Sequence, residues 1–136
     1  MAEHALRRGD TAQAREIAQR LLDTAGKYGV HKYIAVAHKL MAQIAVAEGN
    51  TNLAEAEFAA ALGELQEYPV TVETWKTYAE LGRLKSSLGD VTASREAFVR
   101  AADIINGIAN NVEDAGLRET FLNSDVVREV MTGAIK

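Results

Sequence analysis

His31 and His38 stand seven residues apart, which on a helix is the same face but about 10 Å along the axis. One metal ion cannot span that gap, and His4 is far off in sequence. The pair therefore predicts no metal site: His38 reads as a core residue and His31 as a helix start. Gly26-Lys27 has the ending of a phosphate-binding loop. That loop needs a Gly five residues earlier and a Ser or Thr after the Lys, where this chain has Leu21 and Tyr28. A helix C-terminus with a solvated Lys is the expectation there. Glu55, Glu57, Glu64 and Glu67 follow one another along one segment and read as a solvated face. Without Cys, and without a Gly-x-Ser-x-Gly or His-Glu-x-x-His string, no catalytic constellation is predicted and no cofactor is implied. Trp75 and Tyr78 have the spacing of a stacking pair; Tyr78 fits a core slot, and Trp75 is expected to be half exposed.

The elements that carry these residues repeat. Gly-Asp/Asn recurs every 40 residues, at Gly9-Asp10, Gly49-Asn50 and Gly89-Asp90. Five residues past each Gly stand Ala14, Ala54 and Ser94, and nine past stand Ala18, Phe58 and Phe98. Twelve past stand Leu21, Ala61 and Ala101. The linker repeats too, as Tyr28-Gly29-Val30 and Tyr68-Pro69-Val70. A period of this size marks a stack of like supersecondary units. One Pro in 136 residues, abundant Ala and apolar residues three or four apart make every unit helical. Gly ends a helix by taking the left-handed backbone, and the Asp or Asn after it caps the next. Helices are predicted at about 11–26, 31–48, 51–67, 71–88 and 91–109. Past residue 110 the period decays, and two short helices, about 113–122 and 125–132, read as a cap, with Asn123-Ser124 as the break and N-cap.

Gly49, Ala54, Phe58 and Ala61 resemble the second helix of a tetratricopeptide repeat. Gly89, Ser94, Phe98 and Ala101 match nearly as well, and Gly9 and Ala14 begin a weaker copy. Tyr78 and Leu81-Gly82 fit the aromatic slot and the Leu-Gly pair of the first helix, where the preceding unit has His38 and Met41-Ala42. The resemblance implies an all-α right-handed solenoid of antiparallel helix pairs. Its units are about 1–30, 31–70 and 71–110, with capping helices over 111–136. The stretch from Leu117 to Asn123, with Val127 to Val130, is similar to the ends of such arrays in large bacterial signalling ATPases.

Family members hold a partner's peptide along the inner face of their first helices. Matching positions put Lys39, Gln43, Lys76, Glu80 and Arg83 there, beside Val36 and Leu40. Lys39 with Gln43 resembles the Lys/Asn pair that holds a peptide's terminal carboxylate in some members, a pattern that Glu80 breaks in the next unit. Ile17 and Leu21 mark an edge that would self-associate if nothing upstream covers it, most simply as a homodimer. Three functions are left open: a protein-binding scaffold or regulatory module, an effector-sensing segment using Trp75, Lys76 and Arg83, and a self-associating module. A net charge of −4 with interspersed basic residues argues against nucleic acid. No apolar run reaches the length of a membrane span, and the first residues lack the look of a secretory leader, so a cytoplasmic setting is expected.

Overall fold

The computed structural model describes residues 10–135. Gly9, His4 and the N-terminal stub over 1–8 lie outside the described residues. Among the described residues the chain is all-helical, with seven helices and no strand. They are α1 (Thr11–Tyr28), α2 (His31–Ala47), α3 (Thr51–Glu67), α4 (Thr71–Ser87), α5 (Val91–Asn110), α6 (Ala115–Leu122) and α7 (Asp125–Ile135). The chain divides into two compact units, Met1–Glu73 and Thr74–Lys136, with the division falling inside α4.

The helix ends follow from the period. Gly49 and Gly89 take φ of 76° and 77° between helices, as a Gly past a helix end should. At the first, Gly49 N–H donates to the Val46 carbonyl (3.1 Å) and Asn50 N–H to Ala45 (2.8 Å). At the second, Gly89 donates to Ser86 (3.1 Å) and Asp90 to Lys85 (3.0 Å). Two of the helix's orphan carbonyls are thus satisfied at each end. The capping side chain then opens the next helix. Asn50 accepts from Leu53 N–H at 3.2 Å, Asp90 from Ala93 at 3.1 Å, and Asp10 from Gln13 at 2.9 Å. Each such cap contributes about 1 kcal/mol.

The linkers repeat in sequence but not in backbone. α1 runs on through Gly26 to Tyr28 and ends at Gly29, whose φ is 66°. The helix-terminating glycine is therefore Gly29 and not Gly26, because the left-handed turn falls three residues later. Pro69 holds the matching place in the second linker. Its ring fixes a negative φ and it has no N–H, so α3 closes earlier, with Tyr68 N–H donating to Glu64 at 2.9 Å.

In the first unit, buried Ala14 and Ala18 of α1 meet Leu40 and Ile44 of α2, and Val36 and Met41 pack around them. Ile17 and Leu21 are half-buried against that same cluster. Phe58 of α3 is 2 % exposed and is flanked along its helix by buried Ala54, Ala61 and Leu65. The second unit packs Trp75 and Ala79 with Phe98, Ala101, Ala102 and Ile105 of α5 and Val127 and Val130 of α7. Burying a side chain of this size stabilises by about 1.5–3 kcal/mol.

Two residues build the corner into α6. Asp114 accepts from Leu117 N–H at 3.0 Å, so the helix starts at Ala115. Arg118 reaches back to the Ala109 carbonyl (2.9 Å) and the Val112 carbonyl (3.1 Å) beyond α5. Ser124 stands at the N-cap position expected of it, its carbonyl accepting from Arg128 N–H at 3.0 Å to open α7, while its hydroxyl turns back and donates to the Phe121 carbonyl at 2.9 Å.

Candidate functional site

The first unit holds two of the five groove candidates, and both sit deeper than a solvated face. Lys39 is 9 % exposed, and its ammonium donates to Glu73 of α4 at 3.0 Å. This pairing absorbs the charge that a peptide carboxylate would have met. Gln43, one turn on, is half-buried.

The histidines point across to α3. His31 Nδ1 lies 2.5 Å from Glu64 Oε1, and His38 Nδ1 lies 2.7 Å from Glu57 Oε2. An ionised carboxylate only accepts, so in each pair the imidazole supplies the hydrogen. The His31 ring also stacks on Tyr68, with centroids 3.4 Å apart and planes 4° from parallel. Glu57 and Glu64 are therefore not part of a solvated face; both carboxylates are mostly covered. The missed signal was the spacing: seven residues forward on α2 match seven residues back on α3. Among the described residues no three His, Asp or Glu side chains converge to hold a metal ion.

At the outer end of the α1–α2 pair, Arg15 donates to both oxygens of Glu48, one of them at 3.2 Å. That hydrogen bonding holds the Glu48 carboxyl below its ordinary value and raises the Arg15 guanidinium above its own.

The second unit holds the other three candidates on α4. Lys76 is exposed, with its ammonium 5.9 Å from the Trp75 ring centroid. Glu80 is half-buried. Arg83 Nε donates to Glu129 of α7 at 2.6 Å. Trp75 corrects the expectation of a half-exposed ligand platform. It is 5 % exposed and meets Phe121 edge-on, with ring centroids 6.4 Å apart. The covering ring comes from α6, outside the 40-residue period, so the repeat pattern could not announce it. Tyr78 is half-buried against the core, as its slot requires, with the Arg100 guanidinium 5.9 Å from its ring.

Arg83 also belongs to a cleft of about 780 Å³ between the end of α4, the start of α5 and α7. Arg95, Arg128, Asp125 and Glu129 line it, with Phe98 and Gly133 below. Phe98 is held between two glycines. A Cβ on Gly82 would come within 2.8 Å of its ring, and one on Gly133 within 2.4 Å. Ser94, in the small-residue slot beside them, donates to the Gly82 carbonyl at 2.8 Å. Sequence reasoning missed the cleft because α7 stands outside the period.

No helix of the described residues is long and apolar enough to cross a membrane. Comparison with protein-family models, with curated proteins and with solved structures finds no match to this chain.

Proposed function

We propose that this chain is a protein-interaction module built on tetratricopeptide-like helix pairs, a scaffold or regulatory segment of a larger cytoplasmic signalling protein. One observation carries the reading. The Gly-Asp/Asn step separates helices at both described repeats, and the small and aromatic residues that follow it, Ala54, Phe58 and Ala61, then Ser94, Phe98 and Ala101, are all buried. Stacks of such pairs are non-enzymatic surfaces in most settings, and binding is what a repeated surface offers. In the second unit a partner protein or peptide would meet α4 through the exposed Lys76 and the half-buried Glu80; in the first, Val36 and Gln43 are the half-buried candidates on α2. Lys39, buried against Glu73, serves the scaffold in this reading.

The test is affinity capture from the native source, quantified against a Lys76→Glu variant with unchanged helix content. A protein retained reproducibly by the wild type and lost from the variant supports the reading. A retained set indifferent to Lys76 moves binding away from α4.

A further inference from the structure

We propose that the cleft between α4, α5 and α7 takes an acidic peptide segment, with a carboxylate on Arg95 and Arg128 and a neighbouring apolar side chain against Phe98 and Val91. This rests on the reading of the chain as an interaction module; Lys76 is not in the cleft lining, and Arg83, seven residues on along the same α4 face, is.

The charge inventory of the cleft singles out two arginines. Arg83 is already held by Glu129 at 2.6 Å. Arg95 and Arg128 make no ion pair among the described residues, and both are exposed at the cleft wall. Asp125, the lone remaining carboxylate of the lining, opens α7, where the helix's own N-terminal field favours it. One positive charge is left over.

Three of the four hydroxyls in the lining, all but that of Ser86, are already engaged. Ser94 donates to Gly82, Ser87 to Leu84 at 2.7 Å, and Thr132 to Arg128 at 2.9 Å, all of them backbone carbonyls. The donors left for a ligand are chiefly guanidinium N–H groups, whose fork matches a carboxylate.

The rest of the wall is apolar. Val91 is 66 % exposed at the rim, and Phe98 cannot swing away because two helix backbones hold it. A volume of about 780 Å³ is far more than one small anion fills and suits two or three peptide residues. Charge beside a fixed aromatic floor selects acidic residues alternating with apolar ones.

Fluorescence anisotropy on the full chain tests this with a labelled heptapeptide in which aspartates alternate with leucines. Binding should weaken about tenfold or more in the Arg95→Ala/Arg128→Ala double variant and fall with salt. Arg20→Ala, an exposed charge of α1, should leave it unchanged, with helix content checked by circular dichroism throughout. Equal binding of the asparagine counterpart, or wild-type affinity in the double variant, overturns the proposal. So does equal binding of an aspartate-glycine peptide together with displacement by inorganic phosphate, which would mark a simple anion site. Peptide binding that needs Lys76 but neither arginine removes this cleft and leaves the interaction-module reading standing.

Discussion

Phe58 and Phe98 hold the same step of the 40-residue period, one in each unit, and their surroundings differ. Beside the apolar residues that flank Phe58, the first unit carries three polar pairs. His38 meets Glu57, His31 meets Glu64, and Lys39 meets Glu73. Forty residues on, the matching positions are Tyr78 for His38, Ala97 for Glu57, Ile104 for Glu64 and Ala79 for Lys39. Every one of these is buried or packed against the second core. Ala42 gives way to Gly82, and the ring of Phe98 moves against bare backbone. Two units can thus share caps and small-residue positions while polar pairs of one give way to apolar residues in the other. What must repeat is the backbone step; what fills the seam is free to change.

The largest effects should come from the two phenylalanines. Phe58→Ala and Phe98→Ala should each cost about 3–5 kcal/mol in urea denaturation. Phe98→Ala should lie at the upper end, since the backbones of Gly82 and Gly133 cannot collapse into the space as side chains do. Equal losses would erase the contrast, and a loss below about 1 kcal/mol at either site would show that its ring is not core.

A smaller and more pointed contrast lies in the glycines. Gly133→Ala drives a methyl into Phe98 and should destabilise by about 1–3 kcal/mol. Gly63→Ala, inside α3 with open space at its Cβ, should instead stabilise by about 0.5–1 kcal/mol. Thermal midpoints moving in the same direction for both would refute the tight seam around Phe98.

The smallest effect is the pH response of the first unit's outer contact. Glu48 has its carboxyl lowered by Arg15, so its contribution is complete above the ordinary Glu value of about 4.3 and fades as pH falls through the lowered one. Glu48→Gln should flatten the loss of stability below about pH 5 and change nothing in its pH slope near neutrality. An unchanged acid limb in the variant would mean that this contact forms in neither range.

Helix positions were legible because their signals are local. Gly49-Asn50 and Gly89-Asp90 each carry a stop and a start in adjacent residues, and the observed ends fall within two residues of the expected ones there. Partners far apart in sequence were not legible. Lys39 looked like a solvated charge because Glu73 stands 34 residues on, in a different helix. Trp75 looked half exposed because Phe121 comes from the aperiodic end. The cleft arises where that same end, through α7, meets the last periodic helices, so Arg95 and Arg128 had no pattern to be matched against.

The two imidazole–carboxylate contacts of α2 and α3 work as a vernier. Each alone would permit more than one alignment of two alanine-rich helices. Together they agree at a single setting. A slip of one turn, about 5.4 Å, carries both rings off their carboxylates at once. A slip of two turns brings one ring opposite the other's carboxylate and leaves the remaining pair apart. Antiparallel alignment is thus written in two marks seven residues apart, and near-miss registers lose both hydrogen bonds as well as their packing.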